Sequence, residues 1–311
     1  MPGPKGERPV IPAEFLPDQP NWQGEGPRGK PRIHLRRVRV IESERSEEGS
    51  ADDTLEFAAT FLHERLKDRP RLLIVAGSGL GGLAEGVEGG SEIPFLRIPG
   101  YPPSGVVGHA GTYLAGRLAG VPVLIQRGRY HLYEGHSREV VTLPIRVAAR
   151  LGVDRVILTN ATGGIRSDLS PGTIVLLREC LDFQQNFPLP PSSIPFDPAF
   201  LVTARQAAGE GGIALSEGRY GGVLGPSFET PAEIRMLAAF GADVVGMSTV
   251  AETATANELN LPVLGLSLVT NRAAGSGGGG LSHEEVLRGA ESASGNVIDL
   301  LRRIVTRLAP T

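Results

Sequence analysis

The chain has 311 residues, with 31 Lys+Arg against 34 Asp+Glu, a formal net charge of -3, a hydrophobic fraction of 41% and a single Cys. That length and apolar content support a sizeable core in one or two domains, while the balanced charge lacks the basic footprint that holds a nucleic-acid backbone. One cysteine excludes an intrachain disulfide framework and any multi-cysteine metal centre, and with neither a secretory signal nor an apolar run of membrane-helix length the expected compartment is the cytoplasm.

Residues 1–50 are rich in Pro, Gly and charge and read as a poorly ordered tail; the Arg36–Ile41 stretch is assigned no function. Residues 51–311 are expected to form one domain. Leu55, Ala58, Ala59, Leu62 and Leu66 share a helical face, with Asp52 or Asp53 as its cap. Short continuous apolar runs come next, at Leu72–Ala76, Val121–Gln126, Arg155–Thr159, Thr173–Leu177, Asp243–Gly246 and Val263–Thr270. Continuous apolarity predicts strands covered on both faces. Helical patterns lie at Val140–Leu151, Pro231–Phe240, Thr249–Leu259 and Ser282–Leu308, the last with a break expected near Gly289 or Gly295. The fold class is therefore α/β, and Gly277–Gly280 reads as a loop.

Each predicted strand ends in a polar tip. Gly77-Ser78-Gly79 comes after the first, Arg127 to His131 after the second, Asn160 to Gly164 after the third, then Met247-Ser248 and Asn271-Arg272. In open α/β sheets ligands bind beyond the carboxyl ends of strands, so these polar tips are expected to converge on one site.

Gly77 to Gly82 satisfies the G-x-G-x-x-G spacing of dinucleotide-binding loops, but the region about 20 residues on, Glu92 to Pro103, is broken by proline and lacks the acid that would hold a ribose. A glycine loop with a serine can instead bind a free phosphate. Arg129, His131 and His109 add donors suited to an anion, and together with Ser78, the backbone at Ala161 and Ser248 they would enclose orthophosphate without a metal. His131 and His136 are five apart and beside Gly135, the wrong spacing for metal ligands on a helix. Gly225 to Pro231 places Glu229 beside Phe228 before a helix that Thr230 can cap. A carboxylate only accepts hydrogen bonds, so it would favour a purine bearing N1–H, and Asn271 could engage N7 and O6 of such a base. Gly246 to Val250 lacks the second glycine of a nucleophile elbow, and Cys180 reads as structural.

These segments, with Gly108-His109-Ala110-Gly111, Gly241 to Thr249 and His283-Glu284-Glu285-Val286, resemble the trimeric-type purine nucleoside phosphorylases specific for 6-oxopurines, in the same order and across Leu55 to Leu308. The resemblance implies a single α/β domain around a mixed, partly barrel-like sheet, a homotrimer, and phosphorolysis of the glycosidic bond with orthophosphate as co-substrate and no cofactor. By position, Ser78, His109, Arg129, His131, Ala161 and Ser248 would hold phosphate. Tyr133 and Met247 would line the ribose, His283 would meet its 5′-hydroxyl, Phe228 would pack on the base, and Glu229 and Asn271 would bond to it. Asn271, Glu229, His131 and His283 are the implied catalytic set.

The chain departs from the family pattern at Glu179-Cys180-Leu181-Asp182, at the proline-rich Phe183–Pro198 stretch, and at Thr162, where alanine is common. The family sends an aromatic side chain into the neighbouring subunit's site, for which Phe187 and Phe196 are the candidates. Three rival readings are a methylthioadenosine phosphorylase, a nicotinamide-dependent oxidoreductase and a catalytically silent nucleoside-binding protein. Asn271 and His283 argue against the first.

Overall fold

A computed structural model describes residues 51–77, 80–103, 110–184, 191–275 and 283–309. The expectations for the 1–50 tail, Ser78, His109, Phe187 and Gly277–Gly280 lie outside the described residues, as does the side chain of His283. The elements in chain order are α1 (Ala51–His63), β1 (Leu72–Ala76), β2 (Glu88–Pro94), β3 (Thr112–Leu118), β4 (Val121–Arg127), α2 (Arg138–Arg150), β5 (Arg155–Gly164), β6 (Ile174–Asp182), β7 (Ser192–Pro195), α3 (Pro198–Gly211), β8 (Leu215–Gly222), α4 (Pro231–Ala239), β9 (Val244–Gly246), α5 (Val250–Glu258), β10 (Val263–Arg272) and α6 (His283–Leu308).

The fold is mixed α/β, organised around β5. On one edge β5 pairs with β1 in parallel, and the sheet continues through β4, β3 and β2 as an open wing. On its other side β5 pairs with both β10 and β9, and the path β10-β6-β8-β9 returns to β5. Five strands thus close into a barrel, which leaves no unpaired edge on that side. The continuous apolar runs at β1, β4, β5 and β10 are buried on both faces as their composition requires.

The structure differs from the sequence expectation in identifiable places. β5 runs on to Gly164 and β10 to Arg272, so Asn160–Gly164 and Asn271–Arg272 are the last paired residues of strands and not loops after them. β8, Leu-Ser-Glu-Gly-Arg-Tyr-Gly-Gly, contains three glycines, and β2 and β7 mix charges, serines and proline. Tertiary pairing overrides weak propensity in all three. α3 begins at the capping residue Asp197, whose side chain accepts from the Phe200 N–H, with Pro198 in the first turn. Asp52 and Asp53 lie inside the first turn of α1, past the cap position. α6 passes through Gly289 and Gly295 without a break. Among the described residues no helix is long and apolar enough to cross a membrane.

Two packing features aim the ligand-facing loops. Phe95, Tyr101, Tyr113 and Tyr130 form a buried ring cluster in the wing, with the Tyr101 and Tyr113 hydroxyls 2.8 Å apart and Tyr130 donating to the Pro102 carbonyl at 2.9 Å. This fixes the residue next to His131. At the end of β1, the Gly77 N–H donates to Thr159 Oγ1 at 2.8 Å, and that hydroxyl donates to the Val75 carbonyl at 2.8 Å. A Cβ on Gly77 would lie 2.8 Å from the Thr159 carbonyl oxygen and 2.9 Å from Asn160 Cα, so the two strand ends could not stay this close. Gly77→Ala is therefore expected to destabilise by about 1–3 kcal/mol through overpacking, read as a lowered Tm. An unchanged Tm would show that β1 and β5 can separate freely.

Candidate active site

The centre of the site is a buried polar network at the junction of wing and barrel. Arg129, two residues beyond β4, is only 4% exposed. Its Nε donates to Glu252 Oε1 at 3.1 Å, and its Nη1 donates to the Thr159 carbonyl and to Ser248 Oγ, each at 3.1 Å. Ser248 is held in turn by its N–H, which donates to Tyr220 Oη at 3.1 Å. The Thr249 N–H donates to Glu252 Oε2 at 3.0 Å, and Thr249 Oγ1 accepts from Asn160 Nδ2 at 2.8 Å. Asn160 Oδ1 accepts from Ser267 at 2.6 Å. Elements β4, β5, β8, β10 and α5 are tied at one point.

Among the described residues, Gly77 after β1 and the polar tips of β4, β5 and β10 lie at the carboxyl ends of parallel strands. Ser248, after β9, joins them from another direction. β9 is antiparallel to β5, with Val245 opposite Gly163, so Ser248 reaches Arg129 by running back alongside β5.

Next to this corner, the His131 and Tyr133 rings stack at 4.6 Å with an 18° tilt. Glu134 Oε1 accepts the His131 N–H at 2.8 Å and sits 3.0 Å from its Nδ1. A carboxylate at Nδ1 favours the proton there and directs Nε2 elsewhere. A small pocket is lined by His131, Leu132, Met247, Ser248, Thr249 and Glu252. Among the described residues no group of three or more His, Cys, Asp or Glu could hold a metal ion.

The segment before α4 packs against Met247, and the end of β10 pairs with the end of β5. Gly225, at φ +76°, lies against the Met247 side chain, and a Cβ there would stand 3.2 Å from Tyr133 Cδ1. Only glycine lets this loop pass so close. Thr230 caps α4 in a reciprocal pair with Glu233, as its position suggested. Glu229, just before that cap, is half-buried, and desolvation pushes its carboxyl above the usual range against the opposing pull of a backbone hydrogen bond. Phe228 is 41% exposed. Asn271 lies just past a register shift in β10 and pairs with Gly163, whose Cβ position lies 3.3 Å from Asn271 Nδ2. Thr270 Oγ1 donates to Asn271 Oδ1 at 2.9 Å, and Asn271 Nδ2 donates to the Arg272 carbonyl at 3.1 Å. Gly275 packs on Pro231, so the segments bearing Asn271 and Glu229 touch.

Arg129 and Ser248 thus meet with His131, Tyr133 and Met247 beside them, the segments bearing Glu229 and Asn271 touch, and Ala161 lies within β5 opposite Leu268. Phe196 does not belong to either group. It is 2% exposed and packs against Gly265 in the core of its own chain, so it cannot be an aromatic residue that leaves for a neighbour. Thr162 is also buried, its hydroxyl donating to the Leu268 carbonyl at 3.4 Å. Burial pushes the Cys180 thiol up and its sulfur lies 3.9 Å from Thr253 Oγ1, a structural environment. Glu179 and Asp182 lie on β6, where Glu179 pairs with Arg219 at 2.7 Å and Asp182 accepts from the Gln184 N–H. Sequence reasoning missed Glu252 and Tyr220, and it gave Thr159 and Asn160 no individual role. For Glu252 the signal was present, since Thr249-Val250-Ala251-Glu252 has the capping-box spacing.

Residues 71–306 match the Phosphorylase superfamily. Purine nucleoside phosphorylase 1 of Bacillus subtilis is 38% identical over 267 residues, spanning 82% of this chain and 98% of the relative. The purine nucleoside phosphorylase of Mycobacterium tuberculosis is 42% identical over 216 residues, spanning 69% and 81%. The crystal structure of Schistosoma mansoni purine nucleoside phosphorylase in complex with inosine superposes with a TM-score of 0.76 at 32% identity, covering 85% of this chain and 100% of that one. The chain belongs to the phosphorylase superfamily and, within it, to the purine nucleoside phosphorylases.

A raised carboxyl in the fold has a thermodynamic consequence. For Glu229, the stability present below the unfolded carboxylate value, 4.5, is lost as pH rises through the raised folded value. The Tm of the ligand-free protein should therefore fall relative to that of Glu229→Gln as pH rises from 4.5 towards neutrality. Parallel Tm profiles for the two proteins would contradict the desolvation.

Proposed function

We propose that the protein catalyses reversible phosphorolysis of inosine, guanosine and their 2′-deoxy forms, giving the free purine and (deoxy)ribose 1-phosphate. The observation that carries this reading is the buried Arg129–Ser248 corner opening on the pocket that His131 and Met247 line. In this reading the corner supplies N–H and O–H groups to an anion, and Glu229 and Asn271, an acceptor-only carboxylate and an amide, take the base.

In this reading Ser78, His109, Arg129, His131, Ser248 and the backbone at Ala161 hold orthophosphate. Tyr133 and Met247 line the ribose, His283 meets the 5′-hydroxyl, Phe228 covers the base, and Glu229 accepts from N1–H. The bond from C1′ to the purine nitrogen breaks with its electron pair passing to the base, and a phosphate oxygen forms the new bond to C1′ from the opposite face. Asn271 donates towards N7, where the negative charge collects. Catalysis comes from positioning and electrostatics, with no covalent enzyme intermediate and no cofactor.

Resemblance to the trimeric-type enzymes supports a homotrimer in which Phe187, now the remaining candidate, enters the neighbouring site. The single, buried cysteine fits a cytoplasmic setting. Asn271, in place of the aspartate-containing segment of methylthioadenosine phosphorylases, favours 6-oxopurines over that substrate.

Hypoxanthine release from inosine, measured with and without orthophosphate and beside adenosine and methylthioadenosine, tests the reaction. Release is expected to require phosphate and to favour inosine; release without phosphate would make the protein a hydrolase, and silence on all three would leave a binding protein. Asn271→Ala should lower kcat about a hundredfold, on the order of 3 kcal/mol, because the bond it removes is strongest in the transition state. Equal turnover would remove Asn271 from the mechanism.

A further inference from the structure

We propose that Glu252 is a positioning residue for phosphate, acting through Arg129 and the Ser248–Thr249 peptide. The inference rests on the phosphate-site reading above. Glu252 is buried in the first turn of α5, with a side chain 3% exposed against 5% for Arg129. Its two carboxylate oxygens have separate tasks: Oε1 accepts from Arg129 Nε at 3.1 Å and Oε2 accepts from the Thr249 N–H at 3.0 Å.

A simple helix cap needs only the second bond, and a simple ion pair only the first. Using both fixes the guanidinium relative to the backbone that carries Ser248, and Ser248 Oγ in turn meets Arg129 Nη1 at 3.1 Å. Thr249 sits at φ +73°, a left-handed conformation that a β-branched residue rarely adopts. Glu252 holds its N–H and Asn160 its side chain, so the turn that presents Ser248 is constrained at both ends. The pair also carries no net charge, so an incoming anion is held by oriented donors and not by a loose excess of positive charge, and the phosphorylated product can leave.

Glu252→Gln keeps size and shape but turns one acceptor into a donor, so Arg129 Nε–H and the Thr249 N–H cannot both be satisfied. The KM for phosphate, and the Kd for inorganic phosphate by calorimetry, should rise about tenfold or more, while the KM for inosine stays within about twofold. In an Arg129→Met background the same substitution should add little to the phosphate effect, because its route is gone. Should Glu252→Gln not fold, Glu252→Asp retains charge on a stem too short to span both donors and should give the same phosphate-selective loss.

Equal rises in both KM values, or a full additional effect in the Arg129→Met background, would mean that Glu252 is structural only. Wild-type protein that binds phosphate, with a variant that binds it equally well, overturns the role of Glu252 alone. Wild-type protein that binds no phosphate overturns the site reading and this inference with it.

Discussion

A guanidinium and a carboxylate, both out of water, meet where the wing of the sheet joins its barrel, and much of the site depends on that contact. Removing ions from water is expensive, and a pair is tolerated only where geometry and further hydrogen bonds make up the loss. Here Arg129 gains the Thr159 carbonyl and Ser248 Oγ in addition to Glu252, and Glu252 gains the Thr249 N–H. The extra bonds come from β5 and from the Ser248–Thr249 turn that leads into α5. The requirement to satisfy one buried pair is what draws the ends of β4, β5 and α5 into a common position.

Closure of the barrel makes this possible. β5 has wing strand β1 on one side and two barrel strands, β10 and β9, along the other, so its final residues are paired well past the point where an open sheet would have frayed. Thr159 and Asn160 thus lie on rigid backbone, and each reaches outward to a neighbouring element: Thr159 to Gly77 and Arg129, Asn160 to Thr249 and Ser267. Placing a site on strand ends gives it the precision of the core.

Much of this is legible in the amino-acid sequence. The apolar runs locate β1, β4, β5, β9 and β10 because burial on both faces leaves an unmistakable composition, and Arg129, His131, Ser248 and Asn271 stand out as polar residues where apolar runs stop. β8 is invisible there because its signal is tertiary: three glycines in eight residues form a strand only between β6 and β9. Tyr220 is lost with it. Phe196 illustrates the opposite error, an aromatic residue in a proline-rich stretch that looks surface-bound but faces Gly265 in the core. Glu252 escapes notice because a capping box explains a glutamate at that spacing locally, and nothing in the sequence says that its other oxygen reaches a guanidinium encoded more than a hundred residues away.

In the proposed reading the two sides of the site differ in kind, and the difference has a chemical logic. The proposed anion side is buried and cross-linked by hydrogen bonds, whereas the proposed base side includes the loop before α4, with Phe228 exposed and Glu229 half-buried. In the proposed reaction phosphate is common to every turnover and must be aligned with C1′ for in-line attack, where small displacements cost much of the rate. The base varies between substrates and departs once the bond breaks, so a wall that can adjust suits it. In the proposed reading Glu229 fits that division: desolvation pushes its carboxyl upward, and an N–H from a purine would supply it with a hydrogen bond. In that reaction the buried, cross-linked side would align the nucleophile, and the more exposed side would release the leaving group.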